Sequence, residues 1–292
     1  MYDDILLPFD GSDGAAAALH HAAEIAHWAD ATIHVLCVAD TRRESVSVVE
    51  TQVVDALVQE GKDTVEEAEK TLSTLGVDYE SDVVQGNPAP TIVEYAEQYG
   101  HDLIVMPTHG RQGVSRYLLG SVTEKVVRLA SVPVLTARMQ PDEQLKFPYE
   151  NVLIPTDGGA GAPRVAEYGL SLAAALDATV HVLSVVEERS LGVEMSSKDS
   201  QKRERVAVDA VEDVVSEAES LGVTETVRHI EHGTPVQKIL DTIDANDIGA
   251  VVMGTTGKRG TDRILLGSVA EKTVRSAPVP VITVRDESAS HR

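Results

Sequence analysis

Short apolar runs of strand length alternate along the chain with longer segments whose apolar positions recur at helical spacing. Residues 4–9 (Asp-Ile-Leu-Leu-Pro-Phe) predict a first strand, which the loop Asp10-Gly11-Ser12 ends. From Asp13 to Trp28, Leu19, Ala22, Ala23, Ile25 and Ala26 fall on one helical face. Residues 31–38 predict a second strand, 48–75 a long helix ending at Gly76, and 79–85 a third strand. Gly86-Asn87-Pro88 stops that strand and starts a helix through Tyr99. Asp102 to Met106 is a fourth strand, a helix starts at Ser121, and Val132 to Thr136 is the last strand. The strands read as continuous apolar runs rather than half-polar ones, which predicts a parallel sheet covered on both faces. The right-handed crossover rule leaves a doubly wound topology. Pro133 and Pro280 lack an N–H, which puts the fifth strand at an edge or the proline at the strand's start.

The whole pattern occurs twice. Gly257 minus Gly110 is 147, and the same offset links Asp10 to Asp157, His34 to His181, Gly86 to Gly233, Ser121 to Ser268 and Pro133 to Pro280. A period this long means two tandem domains rather than a solenoid. Residues 1–138 and 150–286 are the expected domains, the charged and proline-containing stretch 139–149 the linker, and 287–292 a disordered tail. In the second copy Asn151 begins the first strand, a long helix covers about Lys198 to Leu221, and residues 187–197 read as a mobile surface loop.

The candidate chemistry lies in two glycine loops. Met253-Gly254-Thr255-Thr256-Gly257 is followed by nine residues and Gly267-Ser268-Val269-Ala270-Glu271; Met106-Pro107-Thr108-His109-Gly110 is followed by nine and Gly120-Ser121-Val122-Thr123-Glu124. Each follows an apolar strand and precedes a helix, at the carboxyl edge where open α/β sheets bind ligands. Glycine leaves no Cβ in the way and tolerates positive φ, so N–H groups can converge on phosphate oxygens. Ser121 and Ser268 stand at the expected helix starts, with Glu124 and Glu271 at capping-box spacing, and the free N–H groups of the first turn would face an anion. The alternative is that the glycines only turn the chain; two copies with identical spacing favour phosphate.

Composition narrows the partners. A formal charge of −22 and a pI near 4.7 disfavour nucleic acid and anionic membranes. The dispersed acidity, with more arginine than lysine, is compatible with a salt-adapted protein. Cys37 is the single cysteine, so intrachain disulfides and multi-cysteine metal sites are excluded. An acidic start without signal-peptide features, and no run of 18 apolar residues, make a soluble cytoplasmic protein the expectation.

Other groupings weigh less. His20, Glu24 and His27 share a helical face, but the other copy has Glu167, Ser171 and Ala174, so a solvated face is favoured over zinc. His109 could touch phosphate, yet Thr256 takes its place in the second copy and a polar loop filler is the plainer reading. Arg116 and Arg263 could pair with phosphate or with a carboxylate. Asp10 and Asp157 could contact a ligand or cap a helix. Gly257-Lys258-Arg259-Gly260 is not a Walker A loop, there is no Gly-x-Ser-x-Gly elbow, and nothing positions a base, so catalysis is not supported.

Taken together, the motifs resemble the universal stress protein family in a tandem two-domain form, over nearly the whole chain. The family motif is Gly, two residues, Gly, nine residues, Gly, then Ser or Thr; Gly254, Gly257, Gly267 and Ser268 match it, while the first copy has Gly110, Gly120 and Ser121 with Pro107 at the first glycine. The Asp-Gly after the first strand, His-Val-Leu at 34–36 and 181–183, Gly-x-Pro at 86–88 and 233–235, and the closing Val-Pro-Val strands add to it. The resemblance implies two five-stranded parallel sheets of order 3-2-1-4-5, pairing through their fifth strands as a pseudo-dimer within the chain, with a further homodimer also open. It implies an adenine nucleotide, ATP with or without Mg²⁺. Phosphates would lie at Gly254, Gly257, Gly267, Ser268 and Val269, ribose at Asp157 and adenine at Val185. In the first copy the roles fall on Gly110, Gly120, Ser121 and Val122, Asp10 and Val38. Pro107 removes a donor and fixes φ, so the second copy is the expected better site. Gly159 in place of Ser12 loses a hydroxyl but keeps the loop. The leading expectation is a nucleotide-binding stress-response or signalling protein with an unknown protein partner. The alternatives are a slow ATPase or phosphoryl or nucleotidyl transferase, and a scaffold without ligand.

Overall fold

The computed structural model describes residues 1–40, 50–110, 119–138, 145–187, 197–256 and 266–285, with 50–56 and 197–199 described as backbone only. The chain divides into two compact units, Met1–Glu143 and Gln144–Arg292. The expected tail 287–292, most of the linker and the expected mobile loop, and Gly257, Arg116 and Arg263 lie outside the described residues.

The first unit runs β1 (Asp4–Pro8), α1 (Asp13–Ala29), β2 (Thr32–Asp40), α2 (Glu50–Leu75), β3 (Tyr79–Gly86), α3 (Pro88–Tyr99), β4 (Leu103–Pro107), α4 (Ser121–Leu129) and β5 (Val134–Ala137). The second repeats it as β6 (Asn151–Pro155), α5 (Ala162–Leu176), β7 (Thr179–Val186), α6 (Ser197–Ser220), β8 (Thr226–His232), α7 (Pro235–Ala245), β9 (Ala250–Gly254), α8 (Ser268–Ser276) and β10 (Val281–Val284). All strand pairs within a unit are parallel. They give the orders β3-β2-β1-β4-β5 and β8-β7-β6-β9-β10. Each unit is therefore the doubly wound α/β fold that the strand pattern predicts.

The central strands carry the core. Ile5, Leu6, Leu7, Leu103, Ile104 and Val105 have no exposed surface, and the aligned Val152, Leu153, Val251 and Val252 repeat this. Each such side chain contributes about 1.5–3 kcal/mol of apolar burial. Helix α1 lays Ala15, Ala18, Leu19, Ala22, Ala23, Ile25 and Ala26 against this sheet, the face its spacing predicts. It ends where Asp30 turns left-handed at φ 56°, and Asp177 does the same for α5 at φ 53°. His20, Glu24 and His27 are exposed on the other side of α1, as a solvated face requires.

Three local readings change. The third strands are not fully apolar: β3 alternates half-buried and exposed positions and β8 is mostly half-buried, with no fully buried residue in either. Strand β2 continues two residues past Val38, since β3 pairs with it as far as Asp40↔Gly86 after β1 has stopped. The prolines of the fifth strands stand just before β5 and β10. Their carbonyls accept from Ile104 and Val251 N–H at 2.9 Å, so the missing N–H interrupts nothing.

Candidate functional site

The carboxyl ends of β1 and β4 define the crevice of the first unit, because the chain leaves these adjacent strands toward opposite sides of the sheet. After β1, Phe9 N–H still donates to Leu36 O at 2.9 Å, which sets Asp10 level with Val38 on β2. Asp10 Oδ1 accepts from Ser12 N–H at 3.1 Å. Ser12 is then the N-cap of α1, its hydroxyl accepting from Ala15 N–H at 3.2 Å. Asp10 is thus a turn-forming carboxylate and not the cap, which decides that alternative for this half.

After β4, Thr108 closes the glycine loop at its base. Its N–H donates to Ala137 O at 2.8 Å, and its carbonyl accepts from Gly120 N–H at 2.7 Å. Thr255 does the same with Val284 O at 3.2 Å and Gly267 N–H at 2.7 Å. Both threonines are buried. They were not singled out in the sequence, although their shared place at the 147-residue offset was a signal for them.

Gly110 lies against Asp10: a Cβ there would stand 2.6 Å from Asp10 Oδ2. Gly120 is equally confined, with Thr108 O at 3.0 Å from its Cβ position. None of Gly110, Gly120, Gly254 and Gly267 has a positive φ. Gly110, Gly120 and Gly254 therefore serve close approach and not a left-handed turn, which corrects one half of the expectation. Gly14 was also missed: its Cβ would meet His109 O at 2.9 Å, so the first turn of α1 presses directly on the loop.

The helix starts differ from the expected capping boxes by one residue. Gly120 and Gly267 are the N-caps, neither with a side-chain cap, and Ser121 and Ser268 are the first helical residues. The first intrahelical bonds are Glu124 N–H to Gly120 O (2.8 Å) and Glu271 N–H to Gly267 O (2.9 Å). The N–H groups of Ser121, Val122 and Thr123, and of Ser268, Val269 and Ala270, precede these bonds. Ser121 and Ser268 are exposed and the valines half-buried. Glu271 does not reach back to its cap; it pairs with Arg275 one turn on. A glycine cap keeps the serine hydroxyl out of the cap and leaves three backbone donors at the positive end of a helix dipole.

His109 Nδ1 lies 2.9 Å from Thr108 Oγ1, and its Nε2 is buried without a hydrogen-bond partner. Burial, and then the nearby Arg138 cation, lower its pKa, so the ring is held neutral.

In the second unit Asp157 Oδ1 accepts from Gly159 N–H at 2.8 Å, the same turn as at Asp10. Gly159 provides no hydroxyl, and the helix begins later: α5 starts at Ala162, which aligns with Ala15, capped by Gly161 without a side-chain bond. Val185 is half-buried between buried neighbours, as Val38 is. Gly254 touches Val165, whose Cγ2 lies 3.3 Å from its Cβ position. The structure thus gathers Asp10, Val38, Gly110, Gly120, Ser121 and Val122 at one edge of the first unit. Asp157, Val185, Gly254, Gly267, Ser268 and Val269 take the same edge of the second.

Pro107 fits its place. Ile104 N–H and Thr108 N–H both point to β5, so alternation turns position 107 toward the β1 side and the proline breaks no β4–β5 bond. A carboxylate poised for hydroxyls, beside helix N–H groups and a glycine cradle that a Cβ would fill, suits an anionic ligand bearing vicinal hydroxyls. Among the described residues no group of three His, Cys, Asp or Glu could hold a metal ion.

The profile of the universal stress protein family matches residues 1–138 and 148–285. The chain belongs to the universal stress protein family. It carries two copies of the family domain in tandem. About half of the chain resembles shorter relatives: a universal stress protein of Methanocaldococcus jannaschii is 36% identical over 141 residues, covering 47% of this chain and 83% of its own length. A second from the same organism is 32% identical over 155 residues, 47% of this chain and 96% of its own length. Over the full length, the crystal structure of a universal stress protein from Archaeoglobus fulgidus superposes with a TM-score of 0.73 at 24% identity, covering 98% of this chain and 97% of that one. That likeness concerns the fold. No described helix is long and apolar enough to cross a membrane.

Proposed function

We propose that this universal stress protein binds an adenine nucleotide, ATP being the expected one, at the carboxyl edge of each unit, and acts through the bound state rather than by turnover. The observation that carries the reading is the contact between Gly110 and the Asp10 carboxylate, which brings the β1 turn against the glycine loop. An ionised Asp is acceptor-only and suits two ribose hydroxyls, while the N–H groups of Ser121 and Val122 suit phosphate oxygens. In the second unit these roles fall to Asp157, Ser268 and Val269, with Gly254 and Gly267 supporting the loop and Gly257 extending it. Val38 and Val185 would offer apolar surface to a base. The second unit is proposed as the tighter site, because position 254 has an N–H on the β6 side where Pro107 has none.

The test is to denature the purified full chain and weigh what is released, then titrate the stripped protein with ATP and Mg²⁺ beside Asp10→Asn and Asp157→Asn. Each substitution is expected to weaken one site about tenfold or more, the scale of a hydrogen bond to a charged group. No released nucleotide together with no binding in the titration would refute the proposal.

A further inference from the structure

At the opposite, amino-terminal edge of each sheet the second strand carries a histidine at the same place in the repeat, His34 on β2 and His181 on β7, and each meets a second histidine from a different direction. In the first unit the partner is His101, just before β4; the rings meet edge to face with centroids 4.6 Å apart and an angle of 89°. His101 is 4% exposed and neither ring nitrogen has a hydrogen-bond partner. In the second unit the partner is His229 on β8, stacked at 5.2 Å and 12°, with His181 Nδ1 and His229 Nε2 3.0 Å apart. The aligned positions differ between units: Ile248 replaces His101, and Asp82 stands where His229 does.

We propose that these two histidine pairs are acid latches, one per unit: each holds the amino end of its sheet together at neutral pH and lets it open on protonation, of His101 in the first unit and of both rings of the His181–His229 pair in the second. The first pair joins three strands. His34 Nε2 lies 2.7 Å from Asp4 Oδ1 on β1 and its Nδ1 3.6 Å from Glu80 on β3, so the carboxylates serve His34. Asp102 is engaged by Asp3 and Asp4 N–H at 2.8 and 3.0 Å. Asp82 is bonded by Tyr95 of α3, whose ring lies 5.6 Å from that of His101. Neither nitrogen of His101 is hydrogen-bonded, the nearby carboxylates being engaged elsewhere through at least one oxygen each, and a proton there would add a buried cation beside His34. Burial, and then His34, lower its pKa, against smaller opposing effects of the Ala96 backbone, Asp4 and Asp102.

In the second pair, a hydrogen bond between two imidazoles needs one acceptor nitrogen, so double protonation breaks it outright. The facing charges are Glu225 before β8 and Glu231 on β8, and Glu231 is itself paired with Lys238 of α7 at 3.2 Å. Burial is the first cause of the lowered pKa of both His181 and His229.

The sign follows from linkage. A histidine kept neutral in the fold takes up a proton when the chain opens, so stability is lost as pH falls below the unfolded value of about 6.5. One excluded proton lowers the folding equilibrium constant about fivefold between pH 6.5 and 5.5. The experiment is urea unfolding of the full chain at pH 7.5, 6.5 and 5.5 in constant salt, for the wild type, His101→Ile and His229→Asp. Each variant borrows the residue of the other half. Trp28, the single tryptophan, reports the first unit, and circular dichroism reports both. His101→Ile should remove the fivefold loss from the Trp28 transition; His229→Asp should leave that transition alone and remove or reverse the loss in the second. An unchanged Trp28 slope in His101→Ile overturns the first latch. Should a variant not fold, ring-proton titration of the wild type by NMR decides: His101, and at least one ring of the His181–His229 pair, staying neutral through pH 5.5 supports the latches, and protonation of His101, or of both rings of the pair, above pH 5.5 overturns that one.

Discussion

Replacing Gly110 by alanine tests the candidate site at its tightest point. The new Cβ would lie 2.6 Å from Asp10 Oδ2 and 3.6 Å from its Cγ. A carbon and an oxygen in ordinary contact stand well beyond 3 Å apart, so the carboxylate has to swing away by several tenths of an ångström. Asp10 is not free to do so without loss, since its other oxygen holds Ser12 N–H at 3.1 Å and Ser12 in turn caps α1. A displaced carboxylate loses one charge-assisted bond to ligand, about 1.5–3 kcal/mol, or roughly ten- to a hundredfold in affinity at the first site. The fold itself should lose about 1 kcal/mol through the disturbed turn. The assay is calorimetric titration of the stripped full chain with ATP and Mg²⁺, in which the first-unit isotherm weakens while the second does not. Wild-type affinity at both sites with the fold intact would show that Asp10 is not a ligand contact, and the ribose assignment would fall with it.

The remaining predictions are smaller and independent. Ser12→Ala removes the α1 cap and should cost about 1 kcal/mol, read as a lower denaturation midpoint in Trp28 fluorescence. Thr273→Val should stabilise the second unit by about 1 kcal/mol, because the Thr273 hydroxyl is wholly buried without a hydrogen-bond partner and the aligned residue is Val126; a lower melting temperature would mean the hydroxyl has a role. Pro107→Gly restores an N–H on the β1 side and should tighten nucleotide binding at the first site, at a stability cost of about 1 kcal/mol from the freer unfolded chain. Equal binding before and after would show that the missing donor is irrelevant.

Most of the fold was legible because its signals are local or repeated. Apolar runs named the strands, Gly76 and Pro88 marked helix boundaries, and a fixed 147-residue offset separated two units without any structural knowledge. The misses are of two kinds, and the first depends on what lies across the sheet. Nothing within β2 reveals that β3 will hold it extended to Asp40. The polar Glu80, Ser81 and Asp82 were the local sign that this strand is less buried than the others. The capping box failed because glycine can be an N-cap with no side chain at all, which moves the serine one place inward.

Pro107 shows how such a contact alters a functional inference. Read from the motif alone it is a defect, a lost donor and a locked φ where a glycine belongs. The sheet supplies the missing term: β4 gives its even-numbered N–H groups to β5, so position 107 owes that partner nothing. The aligned Gly254 does not have a positive φ either, so the backbone there never required glycine for its angle. What glycine provides at 254 is room for Val165, and the residue aligned with Val165 in the first unit is the smaller Ala18. At 107 the proline ring instead lies near Gly14, whose Cβ position is 3.2 Å from the Pro107 Cβ. Volume has been exchanged between strand end and helix, and the proline is a packed residue of an intact crevice. At this position the difference between the two halves then reduces to one N–H, which a single substitution can restore.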